Sequence, residues 1–443
     1  MKKIFISDIL SKQPREVVIF GWIKSKRISK GVIFLDVVDS SGEIQVVVSE
    51  KEKASFKIAK NINVESSVRI EGILNSSKKN LEVGAKKIKL IGDASLELSP
   101  RPRQDFDIFD SKYADYVLKN RHLFLRNKKL QAVFRFKHKF LFNLHKWFTG
   151  RGFLFLDAPV LTELLLYEDE SAFKLDYSDK VKGKQEVFLS QCNTFQLEAA
   201  IHAFEKVYNI TPSFRAEHSK SSRHLREYWH LKVEIAWATL DDLIETAGNM
   251  LYEVSKATAE ECKEDLKILG VKIDLGKLKP PYKQITYDEA LKIINATDHK
   301  MEWGKSFGVE EEKILTKKFG EVFLFIRGIP CNAEGFPFSK DPSNLKITKT
   351  CDLIAPEGFG ELLGTAEKIM DKKELLERMG EKGKNTPDQL ERYKWYLDLR
   401  DYGIIPHGGI GMGVERVIRY LLKIPHVRDT ISFPRLYGRY PNP

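Results

Sequence analysis

Cysteine is scarce in this sequence, and a long apolar run is missing. The four cysteines, Cys192, Cys262, Cys331 and Cys351, show no CxxC spacing, so the sequence indicates neither a zinc site nor a disulfide framework. No run of about 18 apolar residues is present, and the apolar residues near Met1 end at Ser7 and Asp8, too early for a signal peptide. We therefore expect reduced cysteines, no membrane association and a cytoplasmic location.

Acidic residues are outnumbered by basic ones, 62 to 73, which gives a formal net charge of +11 at pH 7. Such an excess favours a polyanionic partner, although many lysine-rich proteins carry it as solvated surface. The chain has 443 residues, of which 42% are hydrophobic and 30% charged. This composition is typical of a soluble globular protein, and the length suffices for two or three domains with a large core.

Residues 1–97 have the pattern of an all-β domain. Strands are expected at residues 17–23, 32–39, 43–48 and 66–73, with a last one formed by 80–83 and 87–91. Five short strands predict a small barrel of the oligonucleotide-binding (OB) type. Phe34 and Gln45 lie on adjacent strands, where a base could stack and form hydrogen bonds, with Arg27 and three lysines nearby. Alternatively, Phe34 belongs to the core and the lysines are solvated.

The rest of the chain is predicted to hold a linker and an α+β domain. Residues 98–125 are polar, basic and contain prolines, so we interpret them as a linker or hinge. Residues 126–443 begin with a long amphipathic helix from Asn127 to Thr149. Further helices are expected at 195–205, 240–265 and 287–294, and strands at 153–159, 186–190, 213–217, 229–237 and 322–326. This order predicts a mainly antiparallel sheet flanked by helices.

A glycine-rich segment near the end of the chain points to a close approach. Gly409, Gly411 and Gly413 alternate just before Glu415 and Arg416, where a helix is expected to begin. Alternating glycines weaken a strand, so the bare backbone is expected to approach a ligand or another segment closely. Arg416 could hold a polyphosphate through its planar donor fork. Alternatively, this is a glycine-rich strand under a helix, with Arg416 in a structural ion pair.

A second cluster has the composition of a nucleotide site. Arg215 and Glu217 alternate on one predicted strand, and Arg223 and His224 follow a loop rich in hydroxyl groups and cations. Arg215 could contact one phosphate, the next two side chains could close over more distal phosphates, and Tyr228 offers a face to a purine. A hairpin with exposed charges would explain each residue singly, but the cluster favours a nucleotide site.

The motifs together resemble the three signature motifs of class II aminoacyl-tRNA synthetases. They are FRAE followed by RHL and Glu227-Tyr228, the proline-ended segment 153–159 after the long helix, and GGIGMGVER. With the barrel, they look like the subclass that activates aspartate, asparagine and lysine. The segment 395–409 and Phe195-Gln196-Leu197-Glu198 are most similar to asparaginyl-tRNA synthetases, because aspartyl enzymes carry a lysine at the position of Leu197.

The resemblance implies a nucleotide site. Arg215 would bind the α-phosphate and the carboxylate being activated, whereas His224 and Arg416 would bind the β- and γ-phosphates. Glu217 and Tyr228 would hold adenine. The implied ATP contacts also include Arg223, Leu225, Glu361, Gly411 and Gly413. The catalytic residues would be Arg215, Arg416 and Glu361.

The resemblance also implies a metal ion and partners. Glu361 and Asp352 would ligate Mg²⁺ through their carboxylate oxygens. Arg27, Phe34 and Gln45 would bind the tRNA anticodon. The helix that begins at Asn127 is similar to the dimer interface of the family, so a homodimer is expected.

The implied amino-acid pocket departs from the family pattern. It consists of Thr194, Leu197, Glu198, Gly364, Glu367, Lys368, His407 and Gly408. Family members usually end the run that begins at Gly364 with Gln-Arg, but this chain has Glu367 and Lys368, so a bidentate arginine fork is lost. Thr194 stands where the family has a glutamine. Lys232 replaces an acid that the family often has at the same position of the returning strand. The Glu-Gly usual in the loop 163–170 is also missing.

Three functions remain open from the sequence. The first is an asparagine–tRNA ligase with a divergent pocket. The second is a paralogue that activates a different amino acid or uses another acceptor, since unpaired buried polar groups penalise the original substrate. The third is a non-catalytic RNA-binding or regulatory protein on the same scaffold. The intact Arg215, Glu361 and Arg416 argue against the third function.

Overall fold

The computed structural model describes residues 2–76, 81–176, 178–179, 183–184 and 186–439. The chain divides into two units. One unit consists of Met1–Asp107 with Leu123–Asn127, and the other consists of Ile108–His122 with Lys128–Pro443.

Five strands of the first unit close into a barrel. Its elements are α1 (Ile6–Lys12), β1 (Glu16–Ser29), β2 (Val32–Val38), β3 (Glu43–Ser49), α2 (Lys53–Asn61), β4 (Ser67–Ser76) and β5 (Leu81–Gly92). The strands follow the order β1-β2-β3-β5-β4, and only β3 and β5 pair in parallel. Ile33 and Leu35 of β2 point into the core, so Phe34 between them faces outward. The predicted OB-type barrel is confirmed, whereas α1 and α2 were not predicted and Asn80 lies outside the described residues.

The segment 98–125 is divided between the two units. Arg103 forms an ion pair with Glu65 in which both side chains are about 10% exposed or less, which attaches this part to the first unit. Arg121 belongs to the second unit, where it is 1% exposed and lies 3.3 Å from Asp429 of the same unit. The prolines and charges of this segment suggested a linker, but Arg103 and Arg121 lie in ion pairs with little solvent exposure.

The helices outside the barrel are α3 (Ala114–Lys119), α4 (Arg121–Phe124), α5 (Lys128–Thr149), α6 (Thr194–Phe204), α7 (Leu240–Glu261), α8 (Lys263–Leu269), α9 (Leu275–Leu278), α10 (Tyr287–Asn295), α11 (Val309–Lys318), α12 (Lys372–Glu381), α13 (Pro387–Asp398) and α14 (Val414–Leu421). Most predicted helices match these within a few residues. The predicted helix 240–265 is divided at Cys262, which ends α7 and precedes α8. None of the described helices is long and apolar enough to cross a membrane.

The strands of the second unit are β6 (Leu154–Phe155), β7 (Leu161–Thr162), β8 (Lys174–Leu175), β9 (Ser178–Asp179), β10 (Gly183–Lys184), β11 (Val187–Leu189), β12 (Lys206–Phe214), β13 (Glu227–Ala236), β14 (Lys283–Thr286), β15 (Leu324–Arg327), β16 (Lys340–Asp341), β17 (Asn344–Thr348), β18 (Thr350–Ala355), β19 (Gly360–Glu367) and β20 (His407–Gly413). Eight of them form one sheet in the order β14-β15-β18-β19-β20-β13-β12-β6. Its inner pairs are antiparallel and its two edge pairs are parallel, which confirms the predicted α+β fold.

Two strands of this sheet differ from the prediction. The glycine-rich segment 409–413 lies in β20, at the middle of the sheet. Instead of the strand predicted at 213–217, the structure has β12, which begins at Lys206 and contains Pro212. The proline is tolerated within this strand because, beyond β6, one edge of β12 pairs with no other described strand. Its polar Asn209 and Thr211 also break the apolar pattern expected of a central strand.

The two faces of the sheet have different characters. Leu231 and Val233 of β13 point to one face, where they belong to the main hydrophobic core with residues of α5 and α7. Lys232, between them in sequence, points to the opposite face and stands beside Gly411 of β20. One face of the sheet is therefore packed against helices, whereas the other carries polar groups over bare backbone.

Candidate active site

A cavity of about 530 Å³ opens on the polar face of the sheet. Gly411 and Gly413 line it, so the glycine segment contributes bare backbone to its wall. A Cβ atom at Gly411 would lie 2.9 Å from Lys232 Nζ, and one at Gly409 would overlap the Glu234 carboxylate. Glycine is needed at these positions because side chains of β13 extend across β20.

The cavity wall contains every residue predicted to bind the nucleotide. They are Arg215, Glu217, Arg223, His224, Leu225, Tyr228, Glu361, Gly411, Gly413 and Arg416. β13 pairs with β20, and β20 pairs with β19, so three strands that are distant in sequence meet at this wall. Arg215 follows β12, and its guanidinium lies over the ring of Tyr167, 3.9 Å from the centroid.

Arg416 and Arg223 of the wall are each paired with a carboxylate from a distant part of the chain. Arg416 Nη1 lies 3.2 Å from Glu361 Oε2 and donates a hydrogen bond to the main-chain oxygen of the same residue. Arg223 forms an ion pair with Glu312. Burial raises the pKa of Glu312 to about 7, although Arg223 acts in the opposite direction. The ion pair of Arg416 lies on the cavity wall, where a ligand can compete for it.

His224 is held in its neutral form near pH 7. Burial, together with the charges of Arg416 and Arg223, lowers its pKa to about 4. Its Nδ1 lies 2.9 Å from the hydroxyl oxygen of Ser219 and 2.6 Å from that of Ser221. These contacts fix the ring, so His224 can offer Nε2 to a ligand as part of a rigid wall.

Carboxylates crowd one part of the cavity. Burial and the nearby Glu361 and Glu334 raise the pKa of Asp352 well above its usual value. Burial raises the pKa of Glu334 to about 7, and Glu361 contributes while a hydrogen bond from Thr350 opposes. Within the described chain, no three His, Cys, Asp or Glu side chains come close enough to form a metal site alone. A bound cation would relieve this repulsion between carboxylates.

The predicted amino-acid pocket is only partly a wall of the cavity. Of its residues, Gly364 and Lys368 line the cavity. Lys368 Nζ donates a hydrogen bond to Thr194 Oγ1 at 3.0 Å, and it lies 3.4 Å from a carboxylate oxygen of Glu198 and 3.4 Å from one of Glu234. These partners are all buried, and they compensate the charge of Lys368 from behind.

The buried layer behind Lys368 is a network around Glu198. Tyr396 donates a hydrogen bond to Glu198 Oε2 at 2.6 Å, and Arg400 does so at 3.2 Å. His407 Nε2 lies 3.3 Å from the same oxygen. Thr194, Glu198 and His407 were predicted to touch the amino acid, but the structure places them one layer further from the cavity.

Three other predicted pocket residues point away from the cavity. Leu197 is fully buried in an apolar cluster. Glu367 accepts hydrogen bonds from the main-chain nitrogen of Leu240 and from Lys349, and a Cβ at Gly408 would overlap Leu243 of α7. Glu367 and Gly408 are paired neighbours on β19 and β20, and side chains alternate along a strand, so both face the helices.

The prediction missed several residues of the cavity wall. Lys232 and His230 of β13 line the cavity together with Tyr167 and Glu168 of the loop 163–170. Strand alternation could have identified the first two, because they lie at even spacing from Tyr228 on β13. Lys232 was recognised from the sequence as a replacement of an acid, but it was not predicted to belong to the site.

The predicted anticodon residues share the outer face of the barrel. Arg27 and Phe34 are paired across β1 and β2, and the guanidinium lies 5.4 Å from the ring centroid. Phe34 is only partly buried, so it is not a core residue. Gln45 of β3 lies diagonally next to Phe34 on the same face, because Phe34 pairs with Val47.

Comparison with known proteins identifies relatives along the whole chain. A family described as tRNA synthetases class II (D, K and N) matches residues 114–437, and an OB-fold nucleic acid binding domain matches residues 17–91. The asparagine–tRNA ligase of Pyrococcus abyssi is 35% identical over 100% of both chains, and that of Chloroflexus aurantiacus is 33% identical over 96% of each.

Solved structures give the same result. The crystal structure of asparaginyl-tRNA synthetase from Pyrococcus horikoshii complexed with asparaginyl-adenylate superposes with a TM-score of 0.90, at 32% identity and 99% coverage of each chain. The enzyme of Entamoeba histolytica, also in complex with asparaginyl-adenylate, has a TM-score of 0.82 at 27% identity and 96% coverage.

Proposed function

Because this chain belongs to the class II tRNA synthetases for aspartate, lysine and asparagine, we propose that it uses ATP to activate asparagine and transfers it to tRNA. One observation carries the reaction type: all the residues predicted to bind the nucleotide lie on the wall of one cavity. The identity of the amino acid rests on the relatives, which are asparagine–tRNA ligases over their full length.

The first step is attack of the amino-acid carboxylate on the α-phosphorus of ATP. A carboxylate oxygen forms the new bond to phosphorus, the bond to the β-phosphate oxygen breaks, and pyrophosphate leaves. The nucleophile is already ionised, so the site needs no general base and acts by positioning and charge compensation. Arg215 supplies this charge at the α-phosphate, and its stacking on Tyr167 supports that role by fixing the guanidinium.

The distal phosphates are bound by an exchange of partners. Arg416 is paired with Glu361, and Arg223 with Glu312, before the nucleotide binds. A triphosphate carries more charge than one carboxylate, so it competes for both arginines. Glu217 and Tyr228 hold the adenine at the opposite end, which orients the α-phosphate toward the amino acid.

Glu361 and Asp352 would hold Mg²⁺. Their fit is supported by the crowding of carboxylates around Asp352: burial and this repulsion both raise its pKa, and a cation would offset the repulsion. Mg²⁺ commonly binds one or two carboxylates and completes its shell with phosphate oxygens and water, so no third carboxylate is required. When bound, the ion supplies positive charge to the phosphates during their displacement.

In the second step, a terminal ribose hydroxyl of tRNA attacks the activated carbonyl, and AMP leaves. Arg27, Phe34 and Gln45 of the barrel bind the anticodon, and the stacking of Arg27 on a partly exposed Phe34 supports this role.

The protein acts as a homodimer. Exposed apolar side chains of β6 and β7, with Leu154, Phe155 and Leu161 each more than 40% exposed, support an interface on this part of the second unit.

Amino-acid-dependent exchange between ATP and pyrophosphate tests the activation step. Asparagine should support exchange in the presence of Mg²⁺, with or without tRNA. If none of the twenty amino acids supports exchange and calorimetry detects no ATP binding, the protein is a non-catalytic member of the family.

A further inference from the structure

Lys232 is a buried cation without a partner at the cavity wall. Its side chain is 9% exposed, and Nζ forms neither a hydrogen bond nor an ion pair with any residue that the structure describes. Nζ lies over the bare backbone of Gly411, where a Cβ would come within 2.9 Å of it. A buried charge without a counter-charge is costly, so its presence needs a reason.

The neighbouring Lys368 does not share this property. Its ammonium group is surrounded by Thr194, Glu198 and Glu234, which lie behind the wall. Neither of these two glutamates is among the described residues that line the cavity. The positive charge of Lys368 is therefore already compensated inside the protein, whereas that of Lys232 is directed at the ligand.

The local electrostatics at Lys232 favour an anion. Burial lowers its pKa, and the positive charges of Lys368 and Arg215 act in the same direction although Glu234 opposes them. A negative group bound beside Nζ would offset both the burial and the repulsion between cations. A ligand group with a negative charge is therefore favoured at this position.

A carboxylate fits this environment better than an amide. Both carboxylate oxygens accept hydrogen bonds, so either can face Lys232. An amide offers one acceptor oxygen, and in the opposite orientation its NH₂ group would direct its hydrogens at the ammonium group. Leaving a buried donor unpaired weakens binding.

We propose that this end of the cavity binds the side-chain carboxylate of aspartate through Lys232, so that the enzyme activates aspartate in addition to asparagine. The inference rests on the proposed activation reaction and refines its amino acid. Aspartate and asparagine have nearly the same shape, so the charge of the wall decides between them. Lys232 is the specificity-determining residue, because the charge of Lys368 is already compensated by Glu198 and Glu234.

The experiment compares aspartate, asparagine and glutamate in ATP–pyrophosphate exchange with the full chain. Wild-type protein should use aspartate with a kcat/KM at least equal to that for asparagine. Lys232→Met keeps the length of the side chain but removes its charge, and it should lower the aspartate-to-asparagine ratio of kcat/KM by about tenfold or more. Lys232→Arg keeps the charge and should preserve the preference for aspartate.

Two results would overturn the inference: wild-type exchange with asparagine alone, or an unchanged ratio in a folded Lys232→Met variant. Circular dichroism and ATP binding establish that the variant is folded. If no amino acid supports exchange, the proposed function fails, and calorimetric titration with aspartate then decides the inference separately. Aspartate binding that is lost in Lys232→Met upholds the site, whereas no binding, or equal binding to both proteins, rejects it.

Discussion

Arg416 Nη1 and Glu361 Oε2 lie 3.2 Å apart on the cavity wall, so the arginine predicted to bind phosphates is paired with the carboxylate predicted to bind Mg²⁺. The sequence left open whether Arg416 forms a structural ion pair or binds a ligand. Because Arg416 lies at the cavity, it can form the ion pair first and bind a ligand afterwards. The nucleotide would replace Glu361 as the partner of Arg416, and Glu361 would then be free to bind the metal ion.

Replacing Arg416 tests this exchange. Arg416→Ala should reduce ATP-dependent exchange by about a hundredfold or more, because a fixed positive charge at the phosphates is lost. Binding of tRNA, measured by filter retention, should remain close to wild type. Lys423→Ala removes a cation of a surface ion pair just after α14 and serves as the matched control, with activity within about twofold of wild type. Equal loss of exchange and tRNA binding in Arg416→Ala would mean that Arg416 is structural.

The crowded carboxylates make stability depend on pH. Burial raises the pKa of Glu334 from its usual 4.5 to about 7. Between these values the folded protein binds more protons than the unfolded chain, so the free energy of unfolding falls as pH rises from 4.5 to 7. Glu334→Gln removes this loss. Its melting temperature should exceed that of wild type by about 2 °C or more at pH 8 and match it near pH 4.

The control for this experiment is Glu310→Gln, which changes a carboxylate that is 66% exposed. Its melting temperature should follow wild type at both pH values. An equal gain for Glu334→Gln at pH 4 and pH 8 would contradict the electrostatic explanation, since packing alone would then account for it.

The two lysines of the site should respond in opposite ways to the same substitution. Lys368→Met leaves Glu198 and Glu234 without their shared cation, so it should lower the free energy of unfolding by about 3 kcal/mol. Lys232→Met removes a buried cation that has no partner in the described chain, so stability should be unchanged or increased. Denaturant unfolding of both variants measures the difference. Similar losses in the two would show that Lys232 is compensated in the folded protein.

The outer face of the barrel should affect tRNA and not amino-acid activation. Phe34→Ala removes a partly exposed ring on which a base can stack, and each stacked base is worth about 1–3 kcal/mol. The KM for tRNA should rise about tenfold, while ATP–pyrophosphate exchange without tRNA stays at the wild-type rate. A wild-type KM for tRNA would remove Phe34 from the proposed interface.

The residues predicted to bind the nucleotide meet at one cavity, and they were accessible from the sequence because most of them are contiguous within two motifs. Arg215 and Tyr228 lie at facing ends of a hairpin, and Arg416 follows the strand that pairs with it, so the motifs meet once the strands pair. The amino-acid pocket was less predictable. Glu367 and Lys368 are adjacent in sequence, but strand alternation directs Glu367 to the helices and Lys368 to the cavity.

Long-range burial also escaped the sequence. Arg103 belongs to a segment that looks like a linker, and only its distant partner Glu65 makes it part of the first unit. The missing partner of Lys232 is a similar case. A sequence reveals which residue replaces an acid, but the absence of a counter-charge appears only when the neighbouring side chains are in place.

The most direct test of the proposed function is aminoacylation of tRNA with labelled asparagine, in reactions with and without ATP. We expect asparagine to become attached to tRNA in an ATP-dependent reaction that is lost in Arg215→Ala, since Arg215 compensates the charge of the α-phosphate. If tRNA binds to the barrel but neither asparagine nor any other amino acid is attached to it, the proposed function is contradicted.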